Sequence, residues 1–202
     1  DIYEASGSGV VHRHDGTSET ILSSVTLPHT VYALCFIDGD LVASDTNTVY
    51  RYSGFSNSLI ASFYTGAHVN GLAWDGTDLW TISYSTSAIR HYNGFSSTEL
   101  ESIGLVSILK AFGISRTYNV SGLVWTGKNF IFSVGLNIGS TDWNICALDK
   151  TNSYIVDAYN AYTDVGNSHV SGLALLDNFI YFGNFDTSTP QPIHRIPIRM
   201  AW

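Results

Sequence analysis

Charge is what this sequence has least of. Only 13% of its 202 residues are Asp, Glu, Lys or Arg, about half the usual share, and three of the nine basic residues are lysines (Lys110, Lys128, Lys150). The formal charge is -8 and the pI near 5.1. With no basic stripe to release counterions from a phosphate backbone, a nucleic-acid partner is excluded. Long apolar runs are missing as well: none approaches the roughly 18 residues of a membrane span, so no membrane span is expected. Cysteine is scarce, and Cys35 and Cys146 read as buried free thiols, because an unpaired Cys packs like a small hydrophobe. No G-x-S-x-G elbow, Walker loop, HExxH or CxxC occurs. The chain starts at Asp1 with no initiator Met, as processing, trimming or excision would leave it.

What replaces charge is Ser, Thr, Asn, Tyr and Gly on a chain that is 45% hydrophobic and 13% aromatic. That content excludes disorder, and at this length a substantial core is available without staples. A low-charge polar surface points to an extracellular, cell-surface or virion setting.

The apolar residues are organised by repetition. Gly71 to Trp80, GLAWDGTDLW, reads as a strand, a tight turn at Asp75-Gly76 and a second strand, a β-hairpin pattern. The phrase recurs as ALCFIDGDLV from Ala33, GLVWTGKNFI from Gly122 and GLALLDNFIY from Gly172, at spacings of 38, 51 and 50 residues. A second phrase follows each hairpin: VHRHDGTSETILSSV from Val11, VYRYSGFSNSLIASF from Val49, IRHYNGFSSTELESI from Ile89 and ICALDKTNSYIVDAY from Ile145. Together they make units of four antiparallel strands, a to d, at nearly the period of about 40 to 50 residues expected of propeller blades. Ring packing protects the edges of such small sheets. The fold class is therefore all-β, a β-propeller of about five four-stranded blades (1-28, 29-67, 68-118, 119-167 and 168-202) in a single domain spanning 1-202.

The first and last blades are expected to be incomplete. Five b strands open at Ile2, Leu41, Leu79, Phe130 and Phe179, and a fifth c strand lies at Ile193 to Ile198, yet only four a strands are visible. The missing strand lies upstream of Asp1, is added by a neighbouring subunit, or is absent. The terminal Arg199-Met200-Ala201-Trp202 echoes the a-strand phrase, but strands a and c run parallel, which disfavours closure by this segment. An unpaired inner edge invites self-association. SILKAF, within Leu105 to Tyr118, is expected to form one or two helical turns.

The GLAWDGT-x-L-W phrase followed by Ile89, Tyr92, Gly94, Phe95 and Ser96 resembles the repeat of a large group of secreted or viral propellers. It is more distantly similar to NHL-repeat, gluconolactonase-like and tachylectin-type five-bladed propellers. The resemblance covers nearly the whole chain and implies a fold, not an activity. Gluconolactonase-like enzymes surround a divalent cation with carboxylates, which the entrances to the a strands here lack.

Those entrances carry Thr30 and Tyr32, His68 and Asn70, Asn119 and Ser121, His169 and Ser171, a polar ring at the mouth of the central channel. Two histidines without acid partners make a thin metal site, so no metal and no cofactor is assigned. His12, His14, His91 and His194, with Arg13, Arg51 and Arg195, lie on c strands and read as cross-strand pairing. The Asn119-Val120-Ser121 sequon sits at a strand entrance and reads as chance. Tyr84, Trp143, Phe185, Tyr118 and Tyr162 lie in loops or at strand ends. Such aromatics either fill gaps between blades or stack on a sugar face, as Trp143 among Gly139 to Asn144 would. No catalytic residue is assigned.

These features favour a non-catalytic extracellular module recognising a glycan or cell-surface polymer. A structural subunit of a filament, surface layer or virion, assembled through the open blade edge, is the alternative. A metal-dependent lactonase or lyase ranks third.

Overall fold

A computed structural model of the chain describes residues 1–5, 8–114, 120–134, 145–161, 170–184 and 193–198, with only the backbone of Ser171 and Asn184. It is a five-bladed β-propeller of antiparallel sheets with three or four strands each. Blade one has β1 (Ile2–Ala5), β2 (Val10–His14) and β3 (Ile21–Thr26). Blade two has β4 (Ala33–Ile37), β5 (Asp40–Ser44), β6 (Thr48–Tyr52) and β7 (Leu59–Tyr64). Blade three comprises β8 (Gly71–Trp74), β9 (Leu79–Ser83), β10 (Ala88–Tyr92) and β11 (Glu99–Gly104), followed by the helix α1 (Leu105–Ala111) where SILKAF predicts it. Blade four has β12 (Val120–Trp125), β13 (Asn129–Val134), β14 (Ile145–Asp149) and β15 (Ile155–Tyr159), and blade five has β16 (Val170–Leu176), β17 (Phe179–Asn184) and β18 (His194–Pro197).

Strand order within each sheet follows chain order. Among the described residues blade one lacks its innermost strand and blade five its outermost, as the repeat count predicts. The echo at Arg199 to Trp202 lies outside the described residues.

Burial explains why middle strands read as nearly continuous apolar runs and outer strands as alternating ones. All six residues of β13 are buried, because each blade is packed on both faces. Its Phe130 and Phe132, with Cys146 and Leu148, meet Trp80, Ile82 and Ile89 of blade three. On the opposite face, Ile131, Ile145 and Ala147 meet Ile180, Phe182 and Ile196 of blade five. Ile37, Val42 and Val49 join blade two to Leu72, Leu79 and Tyr92, and Val11 and Leu27 join blade one to Leu41, Ala43 and Tyr52. By contrast β3 and β7 have one solvent face, with Ile21, Leu22, Leu59 and Ile60 exposed at the rim.

The inner strands approach so closely that glycine is required. A Cβ on Gly71 would sit 2.7 Å from the Leu123 nitrogen of the next blade. Gly122 has φ +54° and would put its Cβ 3.0 Å from Leu173 Cγ. Real Cβ contacts are rarely so short, so glycine is a packing requirement at these two positions of the hub, whereas a Cβ on Gly172 would meet nothing within 4 Å and blade two has Ala33 at the same place.

One local expectation needs correction. Asp75-Gly76 is not the central pair of a two-residue turn. Asp75 N–H donates to the Asp78 carbonyl at 3.2 Å, and Asp75 Oδ1 accepts from the Thr77 and Asp78 amides, so the carboxylate itself stabilises a longer loop. Asp38-Gly39 and Asp177-Asn178, each with both φ values positive, are the two-residue turns.

Candidate functional site

The blade ends differ. The a–b and c–d turns lie at one end, and the b–c connections and inter-blade segments at the other. The two are called here the turn end and the loop end.

At the turn end the basic side chains of the c strands find acids one strand inward. Arg13 pairs with Asp1 at 2.6 Å, Arg51 with Asp40 at 2.8 Å and His91 with Asp78 at 2.8 Å. Asp40 and Asp78 also accept the Gly54 and Gly94 amides, each at 2.8 Å, which with the paired Arg51 and His91 hold both carboxyls below the usual range. In blade five the corresponding Arg195 lies 4.7 Å over the Phe179 ring instead. Between blades three and four, Lys150 Nζ sits 4.9 Å from the Trp80 ring and 5.1 Å from the Trp125 ring, and is paired with Asp75. Burial opposes charge on Asp75, but the Lys150 bond, the Asp78 and Thr77 amides and the Trp80 indole N–H outweigh it and hold the carboxyl down at about 2. His91 stacks on Trp80 at 3.9 Å. These contacts latch strands and blades, which is the cross-strand role read from the sequence.

At the loop end, the segment entering β8 is pinned before any ligand arrives. Thr65 N–H donates to Asn47 O at 2.8 Å, Val69 N–H to Thr46 O at 2.9 Å and Asn70 N–H to Ile82 O at 2.9 Å. Val69 is buried between blades, as are Val31, Val120 and Val170 at the same repeat position. The residues beside the valines therefore occupy defined places.

Two of them converge with a loop tyrosine. Tyr32, from the segment entering β4, meets His68 edge-on at 4.7 Å, and Tyr84, from the β9–β10 connection, meets it edge-on at 4.8 Å. Tyr32 and Tyr84 remain 47% and 42% exposed, so their rings are available to a ligand. Asn70 ties the group together: its Oδ1 lies 3.0 Å from His68 Nδ1 and accepts the Tyr84 amide at 3.2 Å. Residues predicted separately, as a loop aromatic (Tyr84) and as channel-entrance groups (Tyr32, His68, Asn70), thus form one cluster across blades two and three.

The other predicted residues lie elsewhere. Thr30 is exposed, and its carbonyl lies 3.0 Å from His29 Nδ1. The buried Ser121 hydroxyl lies 3.0 Å from Ser133 Oγ and donates to Val170 O at 3.2 Å, linking blades four and five. Ser171 is in β16 with only its backbone described, and Trp143, Phe185, Tyr118, Tyr162, Asn119 and His169 lie outside the described residues.

A second aromatic group at this end escapes sequence reading. His29 stacks on Tyr50 at 4.1 Å and bonds the Tyr52 hydroxyl at 2.6 Å, while Tyr50 donates to Asp45 at 2.7 Å. Burial pushes the Tyr52 phenol up to about 12. These polar groups are satisfied, so the network serves the joint between blades one and two. Both cysteines are free; burial raises both thiols, Cys35 to about 12. Among the described residues no three His, Cys, Asp or Glu side chains form a metal-holding group, and no helix is long and apolar enough to cross a membrane.

Strand order and the repeated blade define a β-propeller repeat protein. No family model and no curated protein matches the sequence. Solved structures do. The glutaminyl cyclase of Myxococcus xanthus is 14% identical with a TM-score of 0.57, covering 78% of this chain and 62% of its own. The Pan2 WD40 domain of Neurospora crassa is 10% identical with a TM-score of 0.59, covering 97% of this chain and 58% of its own. The Cps50 (Swd1) β-propeller domain of Myceliophteria thermophila is 12% identical with a TM-score of 0.54, covering 96% and 67%. This chain thus spans less than two thirds of the length of the first two, and at such identities the likeness is one of fold alone.

Proposed function

We propose that this protein is a non-catalytic extracellular binding module that takes a glycan or cell-surface polymer on its loop end, with Tyr32, His68 and Tyr84 as the platform. The observation that carries this reading is two half-exposed tyrosines held against one histidine by pinned loops. Aromatic faces suit the C–H faces of sugars, and the polar tips suit their hydroxyls. Pre-organisation lowers the ordering cost of binding. Screening the purified protein on a glycan array tests this, alongside Tyr32→Ala and Tyr84→Ala. Retention that the two substitutions leave untouched removes the basis of the assignment.

A structural role has its own support. Among the described residues the hub-side edge of β1 has no strand partner, while the face of blade one opposite Tyr3 and Val11 carries Glu4, His12 and His14. An open edge can accept a strand from another copy. Sedimentation of the purified chain decides this reading, and a single monomeric species over a wide concentration range sinks it.

A further inference from the structure

We infer that His68 presents a fixed hydrogen-bond acceptor to the loop end, so that the ligand there is a neutral, hydroxyl-donating saccharide and not an acidic one. This rests on the glycan reading above and narrows it.

The argument starts from Asn70. The Tyr84 backbone N–H donates to the Asn70 side-chain atom at 3.2 Å, which identifies that atom as the amide oxygen and not the nitrogen. The same oxygen lies 3.0 Å from His68 Nδ1, and an oxygen that only accepts requires a donor there. His68 Nδ1 therefore carries the proton in the neutral imidazole, and Nε2 is left with its lone pair. Flipping the ring would break the Asn70 bond, and Tyr32 and Tyr84 both lie against the ring, at 4.7 and 4.8 Å. The tautomer is thus set by the fold, as the second nitrogen of a functional histidine commonly is.

Among the described residues, Nε2 and the Tyr32 and Tyr84 hydroxyls make no hydrogen bond. A sugar hydroxyl can donate to Nε2 while an adjacent C–H face lies on a tyrosine ring.

Charge selects within the sugars. The segments that carry the cluster, 27–32, 65–70 and 84–87, contain no Lys, Arg, Asp or Glu, and the molecule has a formal charge of -8. Asp45, in the neighbouring turn, accepts from the Tyr50 hydroxyl and the Asn47 and Thr48 amides, and the Arg90 guanidinium, which donates to Thr65 O at 3.0 Å, is paired with Glu99 at 3.4 Å, so it brings no unpaired positive charge to the segment. At Nε2 of the neutral ring a carboxylate or sulfate oxygen would meet a lone pair where it needs a donor, on a molecule whose formal charge has its own sign.

The test is calorimetric titration of the full chain with neutral hexamers (maltohexaose, mannohexaose, chitohexaose) and with alginate and hyaluronan hexamers, at low and high salt. We expect binding within the neutral series, with the anionic hexamers at least about tenfold weaker at low salt and the difference shrinking as salt screens it. His68→Phe keeps a ring against both tyrosines and removes the acceptor. It should weaken neutral binding about tenfold, as loss of one hydrogen bond implies. Preference for the anionic hexamers, or unchanged neutral affinity in His68→Phe, overturns this inference while the glycan reading stands. Binding of neither series by a protein with native circular dichroism overturns both.

Discussion

The turn end and the loop end are made by the same repeat, and their polar groups are used in opposite ways. At the turn end every acid discussed has a partner across a strand or a blade: Asp40 holds Arg51, Asp78 holds His91, and Asp75 holds Lys150 between two indoles. At the loop end the Tyr32, His68 and Tyr84 rings are held in place while their polar tips make no hydrogen bond among the described residues. Satisfied polar groups stabilise, whereas fixed groups with spare valence bind. The lesson is that within one repeat family, where side chains end their hydrogen bonds separates scaffold from surface.

Substitutions should sharpen that contrast. The largest effect is expected from Trp80→Ala: the ring is 1% exposed and touches His91, Phe130 and Lys150. Chemical denaturation should show a loss of about 3–5 kcal/mol. Asp75→Ala removes the loop acceptor, the Trp80 indole partner and the Lys150 counter-charge together, and should cost about 2–3 kcal/mol in the same measurement.

Acid offers a milder probe. Asp75, Asp40 and Asp78 are held below the ordinary carboxyl range, so their contribution is complete above the unfolded value of about 3.9 and is lost as pH falls through the folded values, Asp75 at about 2. Urea midpoints should therefore decline from pH 5 towards pH 2, and Asp75→Asn should flatten the acid limb. An unchanged limb would mean that the Asp75 latch contributes nothing.

Gly122→Ala tests the hub. With φ at +54° and Leu173 at 3.0 Å, the added methyl should cost about 1–2 kcal/mol. Smallest in stability is Tyr84→Ala, expected within about 0.5 kcal/mol of the parent because the ring is exposed. Its glycan affinity should nevertheless fall. If Tyr84→Ala unfolded the protein while Asp75→Ala did not, the division between the two ends would be wrong.

The architecture was legible because it is written in local, repeated chemistry. Strands b and c are buried on both faces, so NFIFSV and ICAL read as apolar runs; the rim strands alternate; Gly-Leu marks the hub. The count of strands that leaves blade one without an inner member among the described residues is also available from the repeat. Arg13, Arg51 and His91 of the c strands are assignable to cross-strand pairing from the repeat, but the repeat does not name their acids, Asp1, Asp40 and Asp78. The Lys150 clamp was invisible, since Asp75 and Lys150 are 75 residues apart and meet only because two blades pack.

The candidate site was half legible. Tyr84 stood out as a loop aromatic and Tyr32, His68 and Asn70 as entrance residues, but in separate groups. Nothing in spacing alone says that a tyrosine from the entrance of blade two leans towards the histidine of blade three. The remaining predicted aromatics, Trp143, Phe185, Tyr118 and Tyr162, fall in the same kinds of connection as Tyr84 and Tyr32. The comparison between ends therefore extends to them as an expectation: substituting any one should alter binding more than stability.

By itself the sequence determined the all-β class, the repeating four-strand unit and the two blades that have three strands among the described residues, because strand period, turn chemistry and hub glycines act over a few residues. Only the tertiary structure decided which side chains from different blades become neighbours. It placed one amide oxygen between a histidine and a backbone N–H, setting the direction of a hydrogen bond that no local pattern encodes.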